Sequence, residues 1–402
     1  MAHTCPQGDP LPEHQLAASG VSPDGLEPPC HPVREGSSTR LLSCCALRAI
    51  VEPWKNSVPL SSRRRWPGGP STPELAAAVS RAGGLGFLAA GYKATEAVRA
   101  DIAATRALTD RPLGVNVFAP NGSPADPASV DRYAQRLQDE ARRLGVALGD
   151  PRFDDDRYED KLALLEHERP AVVSFTFGCP TLAVVQRLHA VGVAVWVTVT
   201  DADEATEAVA AVTPDGLVVQ GLEAGGHRGS FVDRDEHEDL GLLALLAVVR
   251  ARVDVPLIAA GGIATGRTVA AVLAAGATAA SVGTAFMRCP EAGTSRPHRD
   301  ALASARATGL TRAFSGRVAR GIVNRWQTEH TAAAPNAYPE VHHLTSPLRA
   351  HAREVNEADL INLWAGQAHE LAQEIPAARL VAELVRDAGA ALDESRSRLT
   401  AR

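Results

Sequence analysis

Gly216-Leu217-Val218-Val219-Gln220-Gly221-Leu222-Glu223-Ala224-Gly225-Gly226-His227-Arg228-Gly229 is an apolar run that ends in glycines and then offers one imidazole. The apolar half reads as a buried strand. The glycines let backbone approach a flat or anionic ligand closely. His227 has an unperturbed pKa near physiological pH, which suits a base. Taken alone, a histidine beside glycines is more often a plain loop residue. Two further stretches change that balance. Pro256-Leu257-Ile258-Ala259-Ala260-Gly261-Gly262-Ile263 runs from strand into glycines, with a helix from Thr265, and Ala279-Ala280-Ser281-Val282-Gly283-Thr284 repeats the pattern. Two consecutive strand ends of bare backbone, each opening toward a helix, form the phosphate cradle after strands seven and eight of a (β/α)8 barrel.

Working outward, strands and helices alternate at βαβ spacing, which predicts a parallel sheet. Ser71 or Thr72 can cap a helix with Pro73 in its first turn, and Gly83-Gly84 ends it. Expected strands follow at Leu85–Ala90, Leu113–Phe118, Ala171–Phe177, Val193–Val199 and the three stretches above. Helices are expected at Ala94–Leu108, Asp131–Leu144, Tyr158–Glu168, Thr181–Val191, Asp201–Val212, Leu240–Arg252 and Thr265–Ala275. This makes seven strands after Pro70, whereas a closed barrel needs eight. The first should lie in Asn56–Trp66, a Ser/Arg-rich segment poorly suited to a core strand. After the last strand come a helix over Pro297–Ala307, an extension strand over Thr311–Arg317, the stretch Ala319–Trp326, and helices between Ser346 and Asp393 around Leu363-Trp364-Ala365-Gly366-Gln367. Asn116 sits inside an apolar strand. It must bond either a neighbouring segment or a ligand at the barrel mouth.

The chain has 402 residues and a formal net charge of −6. That length allows one large barrel with extensions or two ordinary domains. The mild acidity argues against nucleic acid as the main partner, and no apolar run reaches the length of a membrane span. Of six cysteines, only Cys179 and Cys289 lie in the patterned region. None has metal-ligand spacing, so no metal site or disulfide framework is expected. We expect a reduced, cytoplasmic protein. Leu41-Leu42-Ser43-Cys44 lacks the preceding apolar region that a lipoprotein signal needs. Residues 1–66 carry no helical or strand period and read as a disordered tail.

Several motifs in order give the chain its resemblance. They are Gly-Gly-Pro-Ser-Thr-Pro from Gly68, Gly-Gly-Leu-Gly-Phe-Leu from Gly83, Gly114-Val115-Asn116-Val117-Phe118, Ser174-Phe175-Thr176-Phe177-Gly178, Glu223–Gly229 and Phe314-Ser315-Gly316-Arg317. From about Gly68 to Ala388 the chain resembles the class I nitronate monooxygenases, once called 2-nitropropane dioxygenases. The resemblance implies an FMN-dependent TIM barrel over 68–402, with a helical substrate-side region at about 300–390. It implies oxidation of alkyl nitronates, such as propionate 3-nitronate, by O2 to a carbonyl compound and nitrite. It places His227 as the catalytic histidine, and Asn116, Gln220, Gly225, Gly261, Gly262, Gly283 and Thr284 at the FMN. Arg228 is read either as a positive charge near the substrate or as a surface salt bridge, and Cys179 as packing. Partners are the nitronate and O2, with no nucleic acid or membrane, and no oligomeric state is assigned.

The N-terminus departs from the pattern. Family members carry a strand ending in Ala-Pro-Met where Arg65-Trp66-Pro67 stands here. We therefore expect residues 1–67 to be an anomalous segment, translated out of frame or from a misplaced start. Two rival readings remain. One is an FMN-dependent NAD(P)H reductase of the enoyl-acyl-carrier-protein reductase II or quinone reductase kind. The other is an inactive flavin-binding barrel.

Overall fold

A computed structural model of the chain describes residues 49–51, 69–120, 122–234 and 240–400. The strands are β1 Ala49–Val51, β2 Leu85–Ala89, β3 Leu113–Phe118, β4 Val172–Thr176, β5 Ala194–Val199, β6 Gly216–Gln220, β7 Gly226–His227, β8 Leu257–Ala260, β9 Ala279–Ser281, β10 Thr308–Thr311 and β11 Ala319–Ile322. Eight of them close a barrel in the order β1-β2-β3-β4-β5-β6-β8-β9, and β10-β11-β7 form a separate three-stranded sheet. The fold is therefore an eight-stranded α/β barrel with a C-terminal helical extension, as expected.

The first strand corrects the sequence reading. It is Ala49–Val51, upstream of Asn56–Trp66, which lies outside the described residues. Ile50 pairs in parallel with Leu85 on one side and Ser281 on the other, closing the ring. Ala-Ile-Val is apolar and partly β-branched, whereas a Ser/Arg run would put charge into a barrel wall. The rest of the expected anomalous segment, 1–48 and 52–67, also lies outside the described residues.

Other boundaries moved for local reasons. The helix expected from Asp131 starts at Pro127, because the Asp126 carboxylate accepts from the Ala128 and Ser129 amides and Pro127 occupies the first turn. Thr72 caps the helix Pro73–Arg81 through its Oγ1. The strand expected over Thr311–Arg317 ends at Thr311. The chain then turns, with the Ser315 and Gly316 amides both bonded to Arg312 O.

Alternation along the strands sorts two cores. Outward residues such as Val115, Val173, Val195, Val197, Leu217, Val219, Leu257 and Ala259 pack under the surrounding helices. Inward residues Leu85, Phe87, Val172, Val218, Ile258 and Ala279 fill the lower barrel with Trp196. Gly114 leaves room for the Phe87 ring, since a Cβ there would lie 2.4 Å from Phe87 Cε1. Nearer the carboxyl ends the same inward columns turn polar, with Asn116, Ser174, Thr176, Thr198, Gln220 and Ser281 all buried. Such a layer is stable only if its members bond one another or a ligand. A further core built on Phe314, Trp326, Leu344, Leu348 and Trp364 anchors the C-terminal extension.

Candidate active site

A cleft opens at the carboxyl ends of β6, β8 and β9. Six expected cofactor residues line it: Gln220, Gly225, Gly261, Gly262, Gly283 and Thr284. Among the described residues its lining contains no ionisable side chain. Gly261 and Gly262 have φ of +118° and +66°, a backbone path open to glycine and strained for other residues. They lead into the helix Gly266–Ala274, where Thr265 and Thr268 form a reciprocal capping box. Gly283 leads into the 3-10 turn Thr284–Arg288. An anion in the cleft would therefore meet backbone N–H groups at two helix starts.

A strap from the C-terminal extension covers the cleft with Trp364, Gly366 and Ala368. The Gly366 amide donates to Thr284 Oγ1 at 3.0 Å, and the Gln367 amide donates to Glu223 O at 3.0 Å. The indole N–H of Trp364 is buried and has no acceptor among the described residues.

His227 sits beside this cleft on β7, paired with Ala319 of β11. It is 2% exposed. Its Nε2 lies 2.8 Å from Ser315 Oγ, and that hydroxyl donates onward to Arg317 O at 3.3 Å. With the hydroxyl proton on Arg317 O, the ring proton sits on Nε2, and Nδ1 is the basic nitrogen of that tautomer. Three aromatic rings surround the imidazole, with centroids at 5.8 Å for Phe177, 6.0 Å for Tyr338 and 5.4 Å for Trp364. Phe177 has φ +78°. A bulky residue holds that conformation only where its surroundings enforce it, which is common at sites of function.

Gln220 links cleft and histidine. Its Nε2 donates to His227 O at 3.1 Å and its Oε1 accepts from the Gly229 amide at 2.8 Å. Asn116 is not among the cleft-lining residues. Its Nδ2 lies 2.9 Å from both Ser174 Oγ and Thr176 Oγ1, so this amide braces the neighbouring strand. Arg228 is buried, not at the surface, and donates to Gln220 O and Thr200 O. Burial pushes the Cys179 thiol up to about 11, consistent with packing. Sequence reasoning assigned no role to Phe177, Ser315, Arg317, Tyr338 or Trp364. All but Tyr338 stand in stretches already singled out, but nothing in the chain order says they converge on His227.

His298 supports the strap from behind, donating through Nε2 to Trp364 O at 3.0 Å. Burial is the main cause holding its pKa down, at about 4. The unfolded chain takes up this proton near 6.5 and the folded protein only near 4. Stability from this group is thus full above about pH 6.5 and falls as pH drops toward 4, by about 3 kcal/mol at most. Thermal unfolding followed from pH 7.5 to 4.5 should show that loss, with a shallower slope in His298→Gln.

A family model described as nitronate monooxygenase matches residues 65–387. A nitronate monooxygenase of Pseudomonas aeruginosa is 42% identical, covering 79% of this chain and 93% of its own. One from Paraburkholderia phytofirmans is 39% identical over 82% of this chain and 92% of its own. The crystal structure of a nitroalkane oxidase from Streptomyces ansochromogenes is 47% identical with a TM-score of 0.80, covering 88% of this chain and 98% of that one. FabK from Thermotoga maritima, 24% identical with a TM-score of 0.64 over 83% of this chain and 94% of that one, shares the fold. Motif order, barrel closure and matches over most of the length converge: the chain belongs to the nitronate monooxygenase family.

Proposed function

We propose that this oxidoreductase converts alkyl nitronates and O2 to carbonyl compounds and nitrite with FMN as cofactor. The observation that carries this reading is the buried His227 in an aromatic box beside a glycine-built cleft that bears no charge among the described residues. The cleft fits FMN on its own features. Backbone N–H groups near Gly262 and Gly283 would hold the phosphate, and the unmet indole N–H of Trp364 marks a place for an acceptor-rich group. Gln220 would meet the ring or ribityl chain with its remaining amide hydrogen, while Asn116 would support the layer beneath. FMN supplies the redox chemistry when bound.

The protein's own part is to bind, orient and manage one proton. A neutral nitroalkane would lose its α-proton to His227 Nδ1, with Nε2–H kept on Ser315 Oγ. A nitronate arrives without that proton, and the protonated ring would then hold the anion. Phe177, Tyr338 and Trp364 exclude water around the imidazole, which strengthens every polar contact there. Among the described residues the cysteines, Cys179 and Cys289, are free thiols, which suits a reduced, cytoplasmic setting. Among the described residues, no helix is long and apolar enough to cross a membrane.

The deciding experiment is oxygen uptake by FMN-supplied protein on adding propionate 3-nitronate without NADH. We expect rapid uptake with release of nitrite. Absence of uptake, together with bleaching of the bound flavin by NADH, would replace this reading with the reductase.

A further inference from the structure

Arg317 stands one aromatic ring away from His227 and is 4% exposed. Its guanidinium carbon lies 4.1 Å from the centre of the Phe177 ring, the ring that also meets His227. The enforced left-handed backbone of Phe177 fixes both contacts. Its hydrogen bonds among the described residues go to uncharged groups. Nε donates to Arg228 O at 3.2 Å, and a terminal nitrogen donates to Ser230 O and Ser230 Oγ. Asp233, the carboxylate with the strongest electrostatic influence on it, is paired with Arg312 at 3.1 Å. Burial lowers its pKa, yet a guanidinium keeps its proton in a protein. A buried cation held only by neutral groups is costly unless an anion completes it.

The other buried cations among the described residues are committed elsewhere; Arg320 binds Leu222 O and Thr308 Oγ1. Arg228 binds Gln220 O and Thr200 O. Arg349 binds Thr345, His342 and Ser346 of its own helix. Lys93 and Lys161 pair with Asp101 and Asp156.

We infer that Arg317 is the specificity-determining cation of the substrate site, favouring the anionic nitronate over the neutral nitroalkane of the same skeleton. This rests on the nitronate reading above. A nitronate carries a full negative charge on its oxygens, whereas the nitroalkane offers only a dipole. In a water-poor box, the field of one fixed charge separates the two far more than it would in water. The rival role for Arg317 is purely structural, as a clamp on Arg228 and Ser230.

The test compares kcat/KM for a preformed nitronate and its parent nitroalkane in wild type, Arg317→Lys, Arg317→Met and Arg317→Gln. Both uncharged variants should lose on the order of 10²-fold with the nitronate and much less with the nitroalkane, so the ratio falls. Lysine, which keeps the charge but not the fork, should recover the ratio to within about tenfold. Two uncharged variants guard against one that fails to fold. Nitrate, an unreactive planar anion, gives a reading without turnover. Followed by the cofactor's absorbance, it should bind wild type and Arg317→Lys at least tenfold more tightly than the uncharged variants. An unchanged nitronate-to-nitroalkane ratio in the uncharged variants, with nitrate binding also unchanged, would overturn the inference and leave Arg317 a clamp. Failure of the nitronate reading itself looks different: wild type consumes no oxygen with any nitronate, while nitrate binding still depends on Arg317.

Discussion

His227→Ala is expected to lower kcat/KM for nitronate oxidation by about 10²–10⁴-fold, the range contributed by a positioned proton-transfer group. Flavin content should stay near the wild-type level, because His227 is not among the residues lining the cleft. That pairing of outcomes separates a chemical role from a structural one. His227→Asn sharpens it: asparagine can still bond Ser315 Oγ but cannot accept a substrate proton. If Nδ1 acts as the base, the Asn variant should be nearly as poor as Ala with a neutral nitroalkane. With a preformed nitronate it should be less impaired. Oxygen consumption with each substrate, alongside the visible absorbance of the purified protein, checks both statements. Wild-type-like turnover by either variant would remove His227 from the mechanism.

Gly225→Ala is expected to cost the protein its cofactor. A Cβ at Gly225 would lie 2.4 Å from Ala365 C and from Gly366 N, and 2.8 Å from Ala365 Cα. These are backbone atoms of the strap, so no side chain can rotate away. The strap itself is tied down on several sides. Gly366 donates to Thr284 Oγ1, Gln367 to Glu223 O, and Ile322 donates to Leu363 O at 2.8 Å. A displacement of about 1 Å would break some of these bonds and move Trp364 and Gly366, two walls of the cleft. Shifts of that size cost on the order of 10²-fold in binding or rate. Flavin titration of the apoprotein should show that weakening, together with a destabilisation of about 1–3 kcal/mol from overpacking. Normal flavin affinity in Gly225→Ala would show that the strap is not part of the site.

The contrast between these two positions shows what could be read before folding. Gly225 stood out because a strand ending in Gly-Gly is a local pattern, and its neighbours in sequence complete it. The obstacle that makes glycine necessary there, however, is the strap around Ala365, far along the chain. Likewise His227 was legible as a lone imidazole after glycines. Its orientation depends on Ser315, and its surroundings on Phe177, Tyr338 and Trp364, each from a different segment. Asn116 illustrates the opposite difficulty. An amide in an apolar strand announces that it has partners but not which ones. The structure gives them as Ser174 and Thr176 on the adjacent strand.

By itself the sequence determined the strand–helix alternation, the barrel class, the glycine ends of β6, β8 and β9, and the candidate base. These follow from short-range periodicity and from backbone conformations that few residues can adopt. Only the tertiary structure decided which segment closes the ring. A three-residue strand such as Ala49–Val51 is too short to carry a period, and it is defined by its pairing with Leu85–Gly86 and Ala280–Ser281. The tertiary structure likewise decided that Arg228 turns to the carbonyls of Gln220 and Thr200, while Arg317 reaches the face of Phe177. Two arginines look alike in a sequence; what distinguishes them is the backbone carbonyls and aromatic surface that folding brings to each.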